Sequence, residues 1–389
     1  MKLLNFKKYI LLLFASTVFS CQESYMPDFV IDDMQPILIV DGFINTEGGS
    51  KFKLSETIPL NAEDTDAAVT NASISVESSN GTVYTNAMHL GNGQYTVDHP
   101  TLTHDAEYRV NIKIGTKEYV SAFVKPQTAP EITSIDWQQT DNGTDIQVST
   151  VNTESGSNFY RWEFEEDWRY SSRFPTYFKF QNNQISPRYP EENLSFCYNH
   201  AASSDILLGS TESFVENRLD KHTFQHIPNL SEKLMYRYTI LVKQYSISKA
   251  SYVYWSILKK NSESVGDIFG SMPSELKGNI VNSSNASEPV IGMIEAGKIT
   301  EKRIYINAAE FTPSWRAVIP DYAGCYEEEV AVDDAVAFFK QNPNSMVTYA
   351  IFKDETSPLP THYAYSPVRC SDCTLRGGSL TAPVFWENR

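Results

Sequence analysis

Runs of apolar–polar alternation, each cut off by a turn signal, constrain this chain more than any other feature. Tyr108-Arg109-Val110-Asn111-Ile112-Lys113-Ile114 alternates cleanly and stops at Gly115. Ala72, Ile74 and Val76 fall on one face of an earlier run, and Asn80-Gly81 then marks a hairpin turn before Thr82-Val83-Tyr84. Lys51 to Leu54 alternates too, Ile37 to Val40 reads as a fully buried strand, and Gln94 to Val97 and Tyr119 to Phe123 read as further strands. A period of two places alternate side chains on opposite faces of a strand. About seven short strands with regular turns predict a β-sandwich over 36–125. The aromatic content, with 22 Tyr and 21 Phe, suits pleated half-buried surfaces, so the whole chain reads as mostly β.

Lys125-Pro126-Gln127-Thr128-Ala129-Pro130 reads as a linker, because no apolar periodicity crosses its two prolines. A second sandwich is expected over 130–389. Its strands are Ile132 to Trp137 and Ile146 to Val151 around an Asn142-Gly143 turn, then Phe159 to Phe164 and Leu234 to Tyr245. Between its middle strands lies an apparent insertion, 168–224, rich in Tyr, Phe, Arg, Asn and Pro. Arg169, Tyr170, Arg173, Tyr177 and Phe178 are its candidate binding-surface residues, since aromatics and Arg are enriched at interfaces. A helix is predicted over 248–262, with Ser248 as cap and Lys259-Lys260 at the C-terminal end of the dipole. A second, short helix is predicted from Val332 to Gln341. The tail from Cys370 to Trp386 reads as a terminal clip.

The N-terminus carries an address. Lys2, Lys7 and Lys8 precede an apolar run from Tyr9 to Phe19, and Ser20-Cys21 follows. That run is about eleven residues against the roughly 20 of a membrane span, so it reads as a secretion leader. A cysteine at the cut is the acceptor used in bacterial lipoproteins. The expectation is a leader over 1–20, lipid on Cys21, and a tether over 21–35. Val18 and Phe19 depart from the usual lipoprotein cleavage pattern, and a leader cut without lipidation is the competing reading. Four further cysteines, Cys197, Cys325, Cys370 and Cys373, suggest two disulfides in an exported protein. A bond within Cys370-Ser371-Asp372-Cys373 closes a strained loop. The reading is that one of this pair reaches Cys197 and the other Cys325. A zinc site or redox dithiol is the alternative.

Formal net charge is −16, and the leader adds three lysines and no acids, so the remainder is more acidic still. Such a body repels phosphate backbones and anionic head groups, which argues against nucleic-acid partners and leaves lipid as the membrane link. No nucleophile elbow, zincin helix or Walker loop occurs. His222 and His226 have metal-like spacing without a third ligand. Asp141 to Asp145 lacks the ligand spacing of a calcium loop. Glu165-Glu166-Asp167 and Glu327-Glu328-Glu329 are adjacent acids of the sort that usually face solvent. The expectation is therefore no enzyme, no cofactor and no metal.

Several segments together carry a resemblance. The order Val69-x-x-Ala-x-Ile-x-Val76, Gly93-x-Tyr95, Tyr108-x-Val-x-Ile112 resembles a transthyretin-like or carboxypeptidase-regulatory-like sandwich, and the second half resembles a fibronectin III-like one. Leader cysteine, Ile37 to Asn45, Tyr252 to Trp255, Leu276-Lys277-Gly278-Asn279-Ile280, and the tail from Cys370 with Pro383 to Trp386 are together similar to a Bacteroidota family of outer-membrane lipoproteins of unknown function, DUF4249-like. The resemblance implies a place at the outer membrane, at the cell surface or its periplasmic face, beside a TonB-dependent β-barrel receptor. It brings no catalytic residues. A structural or adhesive surface protein, and an envelope hydrolase, are the other classes considered.

Overall fold

The computed structural model describes residues 36–58, 67–152, 156–263, 276–353 and 358–386. The leader, Cys21 and the tether 21–35 lie outside them, as does the first half of a stretch, Phe269 to Asn282, whose sequence suggests a short strand. The fold is mostly β, with two sandwiches and few helices.

In the first sandwich, sheet I runs Val290–Gly292, Leu38–Asn45, Ser50–Glu56, Gln94–Asp98, Asn86–Gly91. Sheet II runs Ile280–Asn282, Lys117–Ser121, Tyr108–Ile114, Ala72–Ser78, Val83–Tyr84. Leu38, Val40, Ile44 and Leu54 of sheet I meet Ile74, Val76, Val110 and Ile112 of sheet II in one core. In the second sandwich, sheet III comprises Arg218–Pro228, Gly143–Val151 and Ile132–Thr140. Sheet IV places Phe196–Ala202 and Leu207–Ser210 against Phe159–Ser171, followed by Arg237–Ile247 and Ile299–Asn307. Trp162, Tyr160, Tyr238 and Ile240 from sheet IV pack on Ile146 and Val148 from sheet III.

Two expectations about boundaries are corrected. The first sandwich is not confined to 36–125. Ile280–Asn282 edges sheet II, while Val290–Gly292 and Glu295–Gly297 run parallel to Leu38–Asn45 on the edge of sheet I. Parallel pairing needs a long crossover, and here that crossover contains every strand of the second sandwich except Ile299–Asn307, which follows it. Nor is 168–224 an insertion. Trp168 to Ser171 continue a 13-residue strand, and three further strands from this region pair into sheets III and IV. A short helical or loop excursion would have left their backbone groups unpaired, whereas the ladders satisfy them. The hairpin Phe178–Gln181 with Gln184–Pro187 is what projects.

Helix α1, Lys249–Glu263, begins where Ser248 Oγ accepts from the Ser251 amide at 3.1 Å. Helix α2 is Val332–Gln341, and its Asp333 and Asp334 occupy the first turn, where carboxylates favour the dipole. It packs Ala335 and Phe339 onto a three-stranded sheet, Glu328–Ala331, His362–Pro367 and Ser345–Ile351, to which Phe178, Phe180 and Ile185 of the hairpin contribute. This small sheet precedes the tail, and the tail itself, Cys370 to Trp386, is a clip, tied by two disulfides and by Trp386, which is buried against Tyr198. Helix α3, Val368–Ser371, leads to the two disulfides, Cys197–Cys373 and Cys325–Cys370.

The return of the chain to the first sandwich explains one sequence motif. Asn279 Nδ2 donates to the Ile294 carbonyl at 2.8 Å, and its Oδ1 accepts from the Ile294 amide at 2.8 Å. Ile280 is core. A Cβ on Gly278 would lie 1.8 Å from the Gly292 carbonyl oxygen, so only glycine permits the approach. Gly278→Ala is expected to cost about 1–3 kcal/mol through the forced backbone shift, read as a lower urea midpoint with an unchanged slope.

Candidate functional site

Strand Phe159–Ser171 builds the main candidate. Its alternation turns Tyr160, Trp162 and Phe164 into the second core, so Arg161, Glu163 and Glu165 stand on the opposite face. On the neighbouring strand Tyr245 opposes Arg161 and Lys243 opposes Glu163. The outward face of sheet I supplies the facing wall, with Asp41 opposite Lys53 and Phe43 opposite Lys51. Between these two sheet faces lies a cleft of about 590 Å³. It adjoins a second hollow of about 510 Å³, and both share Asp41, Gln94, Arg161, Glu163 and Lys243. Phe43 meets Tyr245 edge-on at 5.0 Å between ring centroids and closes one end.

Arg161 is the centre of this arrangement. It is 8% exposed and lies against the rings of Tyr245 and Trp255, at 4.8 and 4.6 Å from their centroids. Its guanidinium reaches Glu163 at 3.0 Å and Asp41 at 3.7 Å, joining the two sandwiches. Burial opposes its charge, but Glu163 and Asp41 outweigh that and raise its pKa. Tyr245 donates its hydroxyl to Glu163 at 2.8 Å, and burial lifts that phenol far above its ordinary range. Lys243 pairs with Glu165 at 2.5 Å. Opposite-charge pairs of this sort position groups and fix geometry more than they stabilise.

Glu295 lies behind the cleft, where the chain crosses from one sandwich to the other. It is buried and accepts from Ser248 Oγ at 2.5 Å and from Ser251 Oγ, at the start of α1. Burial raises its pKa despite these donors.

A second groove, of about 540 Å³, is lined by Arg173, Tyr177, Arg188, Tyr189, Phe196 and Tyr236, with Ser, Thr, Pro and Asn between them and no carboxylate. It contains part of the surface expected from sequence. Arg173 and Tyr177 are exposed. Arg169 is half-buried and stacks on Phe196 at 4.2 Å. Two expectations fail here. Tyr170 is fully buried and donates to the Cys373 carbonyl at 2.8 Å, with Gly378 packed too tightly on its hydroxyl for any Cβ. Phe178 packs into the C-terminal core and meets Tyr363. Alternation decides both, because each sits on the inward face of its strand.

The acidic triplets do not converge. Glu165 pairs with Lys243, Glu166 with Lys233 and the Tyr238 hydroxyl, Asp167 with His200 at 2.9 Å. Glu328 accepts from Tyr365, and Glu329 pairs with Lys353 at 2.5 Å. His226 is held by Asp145 at 2.6 Å, while His222 packs on Trp162 and burial lowers its pKa. Among the described residues no cluster of three His, Cys, Asp or Glu has metal-binding geometry.

A family model described as a domain of unknown function, DUF4249, matches residues 25–303. The chain belongs to the DUF4249 family. The match ends within Ile299–Asn307, so the C-terminal unit and the Cys370 to Trp386 motif lie beyond it. No curated protein matches the chain. Among solved structures, a segment of two fibronectin type III domains from chicken tenascin aligns at 11% identity, covering 55% of this chain and 93% of that one with a TM-score of 0.16. The fold of this DUF4249 member rests on its own sheets.

Arg161, Tyr245 and Trp255 were not singled out by sequence reasoning. The signal was present as the polar face of Tyr160-Arg161-Trp162-Glu163-Phe164-Glu165, but nothing local says that a second sheet faces it. The raised pKa of Glu295 means that the folded state favours its protonated form, so its contribution is lost as pH rises through the folded pKa. Glu295→Gln, which keeps an oxygen for both serines, is expected to be at least as stable as the natural protein at neutral pH. Its advantage should shrink on acidification into the ordinary carboxylate range. Thermal midpoints measured across that range check the sign.

Proposed function

We propose that the protein is an outer-membrane lipoprotein, anchored through Cys21 and displayed at the cell surface, that serves as an accessory or ligand-binding partner of a TonB-dependent β-barrel transporter in nutrient uptake. The leader pattern and the family resemblance support the address and the partner. The observation that carries the binding role is the second groove. In a chain of net charge −16, it gathers exposed Tyr177, Tyr189 and Tyr236 with Arg173, and no acid lines it. Tyr and Arg are the side chains most enriched at binding hot spots, because each covers a large area and carries a polar tip. Hydrogen bonds hold the loops that line it, with Arg188 Nε donating to the Phe178 carbonyl at 3.1 Å and the Thr176 amide to Ser195 Oγ at 3.2 Å. A preformed surface loses little entropy on docking.

The test is a detergent pull-down of the lipidated protein from its own envelope. A β-barrel receptor is expected to co-purify, and Arg173→Ala with Tyr177→Ala is expected to reduce its recovery. Failure of any barrel to co-purify counts against the transporter role. Cys21→Ser is expected to move the protein from the membrane pellet to the soluble fraction, and unchanged sedimentation would sink the anchor.

A further inference from the structure

The second groove is chemically more specific than a general docking surface. Two guanidiniums, those of Arg173 and Arg188, stand in its lining, and no Asp, Glu or Lys does. A third, Arg169, stacks on Phe196 in the wall at 4.2 Å. None of the three forms an ion pair among the described residues, whereas Arg109, Arg161, Arg218, Arg303 and Arg376 each hold a carboxylate. Acids do stand nearby, and those whose charge bears on Arg188 are Glu192 and Asp372. Both are engaged. Glu192 pairs with Lys179 and accepts from the Tyr189 amide at 3.1 Å. Asp372 accepts from the Thr374 amide and hydroxyl at 2.9 and 2.6 Å. Glu191 is exposed and follows Pro190 in the chain, outside the lining. A guanidinium without a carboxylate of its own keeps its fork of donors for an external one. The acidic remainder of the surface is screened beyond about 8 Å at physiological salt.

The backbone of the groove is already spent. The Ser172 amide donates to the Ser195 carbonyl, Tyr177 to the Thr348 carbonyl, Arg188 to the Tyr177 carbonyl and Asn193 to the Pro190 carbonyl. The Thr176 amide is held by Ser195 Oγ, the Ser195 amide by Asn193 Oδ1 at 2.7 Å, and Pro175 and Pro190 have none to give. An extended peptide that docks by strand addition needs free main-chain groups, and this groove offers side chains instead. Those side chains are of three kinds: the open rings of Tyr177 and Tyr189, the guanidiniums, and the amide of Asn193, whose Nδ2 has no acceptor among the described residues. We infer that the groove binds an acidic sugar chain, a uronate-bearing oligosaccharide. Its carboxylate sits on Arg173 and Arg188, the C–H face of a sugar ring lies on a tyrosine, and ring hydroxyls accept from Asn193. A volume of about 540 Å³ falls within the roughly 300–1,000 Å³ of small-molecule sites. This assignment rests on the groove being the binding surface and names what it takes; it does not need the transporter.

Titration calorimetry on the full chain, purified away from any membrane partner, tests this. The probes are tetrasaccharides containing galacturonate, mannuronate or glucuronate, the methyl ester of each as its uncharged match, and tetraglutamate as an acidic peptide. At least one uronate is expected to bind saturably and about tenfold or more tighter than its ester, since the ester cannot receive a charge-assisted bidentate bond. Arg173→Gln is expected to bring acid and ester to nearly equal affinity. Tyr177→Ala with Tyr189→Ala is expected to weaken the acid by about threefold to tenfold. Both variants should keep the natural thermal midpoint, because these side chains are exposed. No binding of any uronate, equal binding of acid and ester by the natural protein, tetraglutamate binding as tightly as the best uronate, or an unaffected Arg173 variant would each overturn the assignment. The assay contains no receptor, so an empty pull-down with intact uronate binding removes the transporter role alone, and a recovered barrel without uronate binding removes the sugar alone.

Discussion

The short stretch from Glu295 to Ile299 fixes the relation between the two sandwiches. Glu295–Gly297 pairs with the edge of sheet I, and Ile299–Asn307 begins two residues later as the edge of sheet IV. Backbone bonds lock the crossing on the side of the inter-sandwich segment as well. The Gln127 amide donates to the Ala296 carbonyl at 2.7 Å, and the Thr46 amide to the Gly297 carbonyl at 2.8 Å. Gln244 and Thr300 both donate to the Pro130 carbonyl, at 2.9 and 3.1 Å. A segment that reads as a free linker is therefore threaded into the ladder, and the walls of the cleft hold their spacing because this crossing does.

Packing at the joint follows from that. Phe43 of the first sandwich enters a small apolar cluster with Phe159, Tyr245 and Ile247 of the second, flanked by Tyr252 and Trp255 of α1. Two sheets that would otherwise show polar faces to water instead converge on this cluster. Arg161 occupies the boundary where the cluster gives way to charge. An isolated guanidinium there would be costly to desolvate, and the two acids and two rings offset that cost without giving a large net gain. Such a group specifies a geometry, which is what a recognition site requires.

Much of the secondary structure was legible, and the reason is physical. Strands such as Tyr108–Ile114 and Arg237–Ile247 declare themselves through a period of two, and α2 through its apolar spacing and acidic first turn. Strands of three residues, such as Val290–Gly292, are too short to show a period, so the completion of the first sandwich by distant residues was not visible. Asn86–Gly91, with Met88 and Leu90 exposed, hides for a different reason: it is an edge strand with most of its side chains in water. The second groove was legible only in part. Composition pointed to Arg173 and Tyr177, yet composition does not distinguish them from Tyr170 and Phe178, whose burial depends on which strand faces they occupy. The inter-sandwich cleft was not legible, since its walls come from residues more than a hundred positions apart.

The Cys197–Cys373 bridge closes a loop with a sequence separation of 176. Within that loop lie α1, the strands that complete the first sandwich, and the whole C-terminal sheet. In the chain-entropy account a closure of this length restricts the unfolded chain by about 5 kcal/mol. It has a further effect on how the chain responds to a protease. A single peptide bond cut anywhere between the two cysteines leaves one covalent molecule, so nicking alone does not shed the part of the chain that completes the first sandwich.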